Sequence, residues 1–177
     1  KSFTPKEDWQ KTCFECFQKT RAGGRGRPAS NVGEGREPKF NVYLKQLKES
    51  GYFDPAGNLR PELRVQDADM VAYVLAQAGV TSGQLRRFFT MARSLEQRLG
   101  GSRDFASIVP DIASLQPFVA VIIGRAQNET QRMQLAALRD FIDVNAELAR
   151  QSEKAFRKGF LPHFESVIAY FPLYKPK

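Results

Sequence analysis

The chain has 177 residues, of which 42% are apolar, and this composition supports one domain with a hydrophobic core and excludes a fully disordered protein. The 27 lysines and arginines exceed the 19 acidic residues and give a formal net charge of +8, which favours polyanionic partners such as nucleic acid. Two cysteines and one histidine exclude a disulfide framework and a catalytic histidine pair.

The longest uninterrupted apolar stretch covers residues 118–123. It is much shorter than the ~20 residues that a helix needs to cross a bilayer, and the chain shows no signal-peptide pattern. We therefore expect a cytoplasmic protein without a membrane partner.

Residues 1–39 are expected to form an extension to the main domain. Thr4 and Pro5 are typical of an N-cap and a first helical position, so we predict a helix over residues 4–20. Residues 21–38 consist mainly of arginine, glycine, serine, proline and asparagine, and such a segment cannot offset its ordering entropy by burial. It is predicted to be a flexible basic linker or an RNA-binding arm.

Cys13 and Cys16 have the spacing of half a zinc site on the predicted N-terminal helix. Structural zinc needs four ligands, and only the distant His163 offers another nitrogen or sulfur. The same spacing places both cysteines beside Trp9 on one helical face, where they would pack as small apolar side chains. Packing, a metal shared with another chain and redox chemistry stay open, and we predict no metal and no cofactor held by this chain itself.

From residue 40 onward, apolar residues recur at helical spacing, and no segment alternates as a strand does. A helix that begins near Phe40 is predicted to end before Gly51, and residues 54–58 have the composition of a turn. Further helices are predicted over residues 67–78, 81–99, 105–109, 117–125, 129–149 and 153–171. The predicted fold is an all-α bundle of about five or six helices, built by a domain of residues 40–177.

Two pairs of acidic residues, Asp67 with Asp69 and Asp140 with Asp143, are candidates for holding magnesium in a hydrolytic site. Their positions in a first helical turn and on a mixed-charge face favour a solvated surface instead. His163 stands between phenylalanines, with no nucleophile at local spacing, so we expect a packed or partly exposed side chain. No nucleotide-binding loop or zinc-protease motif is present, and nothing indicates an enzyme.

The predicted helix over residues 81–99 carries four arginines around its apolar stripe. At 100° per residue, Arg86 and Arg93 lie on one flank, and Arg87 and Arg98 lie on the other. The planar guanidinium group matches phosphate oxygens and stacks on bases, which favours contact with an RNA backbone. The alternative is that the arginine stems cover apolar surface, as flanking arginines commonly do.

Three further side chains bear on this helix. Gln84 is predicted to form a capping box with Thr81. Glu96 projects toward the apolar side, and Arg125 is the only charge near the end of the apolar helix over residues 117–125. Arg125 could pair with Glu96, stabilise the C-terminus of its own helix or contact RNA, and these roles stay open.

Several short stretches follow one another along the chain in a distinctive order. Residues 81–89 read Thr-Ser-Gly-Gln-Leu-Arg-Arg-Phe-Phe and residues 164–170 read Phe-Glu-Ser-Val-Ile-Ala-Tyr, while residues 51–60 and 123–125 contain Gly-Tyr-Phe-Asp, Gly-Asn-Leu-Arg and Ile-Gly-Arg. Together they resemble the small subunit of type III CRISPR effector complexes, the Csm small-subunit family. The resemblance covers residues 40–170, and residues 1–39 match nothing known in that family.

The resemblance implies a small α-helical, non-catalytic protein that binds RNA in antiviral defence. Several copies would stack beside the filament of backbone subunits, along the groove that holds guide CRISPR RNA paired with target RNA. In that family, target cleavage belongs to the backbone subunit and synthesis of signalling nucleotides to the large polymerase-like subunit. The positions that match the family's basic residues are Arg86, Arg87 and Arg125, to which the helical wheel adds Arg93 and Arg98. Gln84 matches as well.

Two other classes of function compete with this interpretation. A helical adaptor would use the same arginines to contact an acidic protein, without the steep salt dependence of RNA binding that phosphate contacts produce. A metal-dependent nuclease would cleave RNA and lose that activity in EDTA. The resemblance itself predicts a subunit that is indifferent to target sequence, because guide-dependent complexes leave sequence selection to base pairing.

Replacing both cysteines, Cys13→Ser with Cys16→Ser, is expected to leave the helical domain folded, because both precede the predicted flexible segment. The melting temperature should stay within about 2 °C of the parent value, since changes outside a core usually alter stability by less than ~0.5 kcal/mol. Thermal unfolding followed by circular dichroism measures this. A large fall in melting temperature, or stoichiometric zinc that the double substitution removes, would contradict the prediction.

Overall fold

A computed structural model describes residues 37–100 and 104–174 of the chain. The helix predicted over residues 4–20, the pair Cys13 and Cys16, and most of the predicted arm lie outside these ranges. The division of the chain into an extension and a domain therefore stays a prediction.

The described residues are mainly helical and contain no β-strand, although an isolated bridge joins Phe53 to Leu59. The α-helices are α1 (Glu37–Ser50), α2 (Gln66–Gln77), α3 (Ser82–Gly100), α4 (Val109–Ala113), α5 (Leu115–Gly124), α6 (Glu129–Gln134), α7 (Ala136–Ala149) and α8 (Leu161–Tyr170). A π-helix, Ala155–Phe160, leads directly into α8, and 3₁₀ helices occur at Pro61–Arg64, Phe105–Ser107 and Phe171–Leu173. The predicted all-α class is confirmed. No helix in the described ranges has the length and apolar character that crossing a membrane requires.

Glycines end the first two helices, as the sequence predicts. Gly51 follows α1 with φ +64°, and Gly79 follows α2 with φ +79°; this left-handed conformation would cost a residue with a side chain about 1–2 kcal/mol. Between the two helices, the side chain of Asp54 accepts a hydrogen bond from the amide of Asn58 at 2.8 Å and closes the predicted turn. The chain reverses there, and α1 packs against α2.

The helix predicted over residues 129–149 is divided in two at Leu135, so the prediction of one helix is wrong at this point. Leu135 has a ψ angle of −6°, and the amide of Leu138 bonds back only three residues to its carbonyl, at 3.1 Å, as in a 3₁₀ turn. The Leu135 side chain is buried, so the junction between α6 and α7 is anchored in the core.

The helix predicted over residues 153–171 is continuous but not regular, because Ala155–Phe160 are π-helical. Pro162 has no amide hydrogen to donate to the carbonyl four residues earlier, so the α-helical hydrogen-bond pattern cannot run unbroken through it. Gly159 packs against the ring of Tyr52, and a Cβ at Gly159 would lie 2.4 Å from Tyr52 Cδ2. The π-helix is therefore held in close contact with the loop that follows α1.

α8 is the central helix of the bundle. It packs against α2, α3 and the 3₁₀ helix Pro61–Arg64, whereas α7 packs against α1, α5 and the π-helix. The ring centroid of Phe164 on α8 lies 5.6 Å from the ring centroid of Phe141 on α7 and 5.8 Å from the ring centroid of Phe89 on α3. Fully burying a phenylalanine stabilises a fold by about 1.5–3 kcal/mol. The fully buried phenylalanines are Phe88, Phe141, Phe156, Phe160, Phe164 and Phe171.

His163 lies on α8 and is completely buried. Its Nδ1 is 2.6 Å from the carbonyl oxygen of Leu63 and its Nε2 is 2.6 Å from the hydroxyl oxygen of Tyr43. A carbonyl oxygen can only accept, so Nδ1 carries the hydrogen and Nε2 accepts from the hydroxyl of Tyr43. Burial lowers the pKa of His163 to about 4, and the imidazole is therefore neutral at pH 7.

The pH dependence of stability is expected to report this buried imidazole. Its folded pKa lies below the value near 6.5 of an unfolded chain, so its stabilising contribution is complete above pH 6.5 and is lost as the pH falls toward 4. Between pH 7 and pH 5, the free energy of unfolding should fall by about 2 kcal/mol more in the parent protein than in His163→Gln. Urea unfolding of both proteins at both pH values measures the difference.

His163 is the only histidine in the chain, so no second imidazole confuses that comparison. Burial raises the pKa of Asp67 and of Asp140, and these carboxyl groups act in the opposite direction, but both proteins contain them. Parallel pH profiles for the parent and the variant would show that the imidazole is not held neutral in the folded state.

Candidate nucleic-acid interface

α3 carries most of the predicted site, and its packing determines which side chains face outward. Its buried residues are Leu85, Phe88, Ala92, Leu95 and Leu99. At its start, the amide of Gln84 donates to Thr81 Oγ1 at 3.2 Å, and the amide of Thr81 donates to Gln84 Oε1 at 2.7 Å. The predicted capping box is confirmed, and Gln84 therefore has a structural role at the N-terminus of α3.

Arg86 and Arg87 are exposed in the second turn of α3. Within the described parts of the chain, neither forms an ion pair or a side-chain hydrogen bond. Residues 82–91 contain no acidic side chain, so nothing on this half of the helix neutralises the two guanidinium groups. Both are available to an anion such as a phosphate.

Arg93 is held by neighbouring acids. Its guanidinium group donates to Glu96 at 2.6 Å and to Glu165 of α8 at 3.2 Å, and it lies 5.0 Å from the ring centroid of Phe89. The hydrogen bond with Glu96 is the largest cause of a raised pKa for Arg93. These contacts connect α3 to α8. Arg93 therefore has a structural role, and its charge is already balanced by two carboxylates.

Arg98 is also paired. Its Nη1 lies 2.7 Å from Oδ2 of Asp111 on α4, and both side chains are partly exposed. An exposed pair of this kind stabilises a fold by about 0–1 kcal/mol. Arg98 is therefore a weaker candidate for RNA contact than Arg86 and Arg87, because a phosphate would have to compete with a carboxylate already in place.

Arg125 caps the C-terminus of α5 and is exposed, where a cation stabilises the helix dipole. Of the roles proposed for Arg125, the ion pair with Glu96 is not formed. Glu96 pairs instead with Arg93 and with Arg157 of the π-helix, whose Nε is 3.8 Å away. No ion pair of Arg125 occurs among the residues that the structure describes, so its charge is also available.

The acidic pairs stand where the sequence predicts. Asp67 and Asp69 occupy the first turn of α2, and Asp143 pairs with Arg139 on α7 at 3.5 Å. The pKa of Asp140 is raised by burial and, to a smaller degree, by Asp143. In residues 37–100 and 104–174, no group of three histidine, cysteine or acidic side chains is placed to hold a metal ion.

One set of basic residues escaped the sequence reasoning. Lys154, Arg157 and Lys158 are exposed on and beside the π-helix. Their spacing of three and four residues was a usable signal, because such residues share one face of a helix. Acidic and aromatic residues stand between and beside these three cations in the sequence, so the basic pattern is not apparent there.

Comparison with known proteins identifies one family. The family model described as Csm2 Type III-A matches residues 58–177, which include α2 to α8 and all the candidate arginines on α3 and α5. No curated protein and no solved structure matches the chain. The matched range begins after α1, so the resemblance noted for residues 40–57 lies outside it.

Proposed function

Because the chain belongs to the Csm2 Type III-A family of CRISPR effector small subunits, we propose that it is a non-catalytic subunit that binds RNA by its backbone. Several copies stack along the duplex of guide CRISPR RNA and target RNA in the cytoplasm. The protein partners are the backbone subunits, the large polymerase-like subunit and other copies of the chain itself. The role is antiviral defence.

The observation that carries this proposal is the charge distribution on α3. Arg86 and Arg87 project from a half-helix without acids and have no ionic partner in the described ranges. Arg125 adds a third guanidinium group at the end of α5, and it has no ionic partner among the described residues. Arginines left unpaired on a rigid helix are suited to hydrogen bonds with phosphate oxygens, because the planar group offers parallel donors.

Backbone contacts of this kind do not read the base sequence. Phosphate and sugar contacts set position and affinity, whereas sequence is read by base pairing between guide and target. An RNA helix also presents a major groove that side chains enter poorly. The proposed subunit therefore recognises the shape and charge of the duplex and treats all target sequences alike.

We propose that the chain does not cleave RNA, and the state of His163 supports this. The only histidine is buried and neutral, with both ring nitrogens hydrogen-bonded, so it is not available as a general base for a substrate on the surface. The purified full chain is expected to bind single-stranded RNA weakly and to leave it intact, with or without added magnesium. Gel analysis of the RNA after incubation checks this. Metal-dependent cleavage that disappears in a point variant of this chain would overturn the proposal.

Charge reversal at Arg86 and Arg87 tests the RNA contact. In the assembled complex, Arg86→Glu with Arg87→Glu should weaken target-RNA binding to the same degree for every target sequence. Each lost phosphate contact should make the log–log dependence of affinity on salt shallower by about 0.7–0.9. The circular-dichroism spectrum should hardly change, because both side chains are exposed.

The matched control is Arg132→Glu with Arg139→Glu, which makes the same change in net charge on α6 and α7. Both control arginines are exposed and already pair with acids, Arg132 with Glu129 at 3.6 Å and Arg139 with Asp143 at 3.5 Å. The control should affect RNA binding far less. Equal losses in the two double variants would mean that only net charge matters, and unchanged binding in the α3 variant would exclude α3 from the RNA site.

A helical adaptor that binds an acidic protein remains the alternative function. It predicts that the α3 variant keeps its RNA binding but no longer joins the complex. Co-purification of the variant with the other subunits separates the two outcomes, because the RNA-contact proposal expects assembly to continue through the remaining protein contacts.

A further inference from the structure

The π-helix presents a second basic surface that is separate in sequence from α3. Lys154, Arg157 and Lys158 line one shallow depression together with Glu96 and Glu153. The three cations are all exposed, whereas their neighbours Ala155, Phe156, Gly159 and Phe160 are buried. The depression is therefore the outward face of this helical segment.

Both acids in the depression are already paired. Glu153 accepts a hydrogen bond from Arg157 at 2.8 Å, and Glu96 lies between Arg157, at 3.8 Å, and Arg93, at 2.6 Å. The two lysines have no acidic partner in the described part of the chain. They carry the uncompensated positive charge of this surface.

Lys154 is held in position by the loop after α1. Its Nζ lies 4.5 Å from the ring centroid of Phe53, a distance at which a ring face attracts a cation. The same Nζ lies 3.1 Å from the place where Gly57 would carry a Cβ, and Gly57 has a φ of +82°. The lysine therefore lies against the loop, which reduces the side-chain entropy that binding an anion would cost.

The backbone below the lysines is also fixed. The loop packs Tyr52 against Gly159, and the hydroxyl of Tyr52 donates to Oδ1 of Asn145 at 2.9 Å. A π-helical turn inside a helix is often found at a functional site. Here it presents Lys158 from a segment that is tied to both α7 and the loop.

The contact between Arg157 and Glu96 places this surface beside the C-terminal half of α3. Glu96 is ten residues beyond Arg86, or about 15 Å along the helix axis at 1.5 Å per residue. Arg93 lies on α3 between Arg86 and this contact, and it pairs with both Glu96 and Glu165. Among the residues that the structure describes, two basic surfaces without acidic partners, Arg86 with Arg87 and Lys154 with Lys158, therefore lie on either side of these paired charges.

We propose that Lys154 and Lys158 form a second phosphate-binding surface, which contacts the RNA backbone some distance along the strand from the α3 arginines. This inference rests on the proposed function, because it takes the ligand to be RNA. Ammonium groups attract phosphates as point charges without fixing their orientation. The α3 arginines orient the backbone, and the π-helix lysines extend the contact along it.

The test uses the full chain and an unstructured oligouridylate, with binding followed by fluorescence anisotropy over a range of salt concentrations. Lys154→Gln with Lys158→Gln should make the log–log salt slope shallower by about 1.4, which is ~0.7 for each contact to a single strand. At 0.1 M salt, this corresponds to a loss of about fivefold in affinity per contact. Glutamine keeps the helix propensity, so the circular-dichroism spectrum and melting temperature should stay close to those of the parent.

The matched control is Lys45→Gln with Lys48→Gln, which removes the same two charges from α1. Both control lysines are exposed and lie near acids, Lys45 at 4.0 Å from Glu49 and Lys48 at 3.2 Å from Glu147. A smaller loss in the control than in the π-helix variant supports the proposal. Equal losses overturn it, because they would show an effect of net charge alone.

The remaining outcomes separate this inference from the proposed function. If the Arg86 and Arg87 variant loses RNA binding but the variant of Lys154 and Lys158 does not, the second surface is excluded and the proposed function stands. If the lysine variant binds RNA normally but fails to co-purify with the other subunits, the surface binds protein and the inference is wrong. If the parent chain binds no RNA, both proposals are overturned.

Discussion

The buried contact of His163 with Tyr43 and Leu63 joins parts of the chain that lie 120 and 100 residues apart. Because both ring nitrogens are occupied, α8 is fixed in relation to α1 and to the 3₁₀ helix Pro61–Arg64 at the same time. A buried polar group without partners would cost about 1–3 kcal/mol, so the contact also determines which arrangements of these three elements are allowed. The packing of α3 and α7 on α8 depends on that arrangement.

The packing of α3 on α8 determines which of its side chains are available for the proposed function. One side of the helix is buried against α8, and Phe89 meets Phe164 edge to face, so the polar flanks must face away from the core. Acids on neighbouring elements then decide which cations remain available. Glu165 on α8 holds Arg93, whereas no described acid reaches Arg86 or Arg87. The basic character of the surface is thus set by pairing as well as by the number of arginines.

Pairing with acids also determines which cations remain available on and beside the π-helix. The shared acid Glu96 brings Arg93 and Arg157 together from two elements, and this neutralises the surface where α3 and the π-helix meet. Salt bridges at such an exposed junction contribute little to stability, so their larger effect is on the electrostatic pattern. Positive charge is left at the two ends of the junction, where the proposed RNA contacts lie.

Local signals in the sequence predicted much of the fold. The capping box at Thr81, the glycine stops at Gly51 and Gly79, and the apolar stripe of α3 were all readable, because each depends on residues within a few positions of one another. The interruption at Leu135 was not readable, because it is a change of ψ at a single residue. Pro162 is a local signal that the helix over residues 153–171 is irregular, but the close packing of Gly159 on the ring of Tyr52 depends on another segment of the chain.

The all-α class, the helix ends around α3 and the arginines on its flanks follow from the sequence alone, because helical periodicity and capping act over short distances along the chain. Which of those arginines are paired depends on contacts between distant parts of the chain. The partner of Arg93 on α8 is 72 residues away, Glu96 pairs with Arg157 rather than with Arg125, and the ring beneath Lys154 comes from the loop after α1. A helical wheel shows which side of a helix a charge occupies, but the charges that meet it there are brought by the fold.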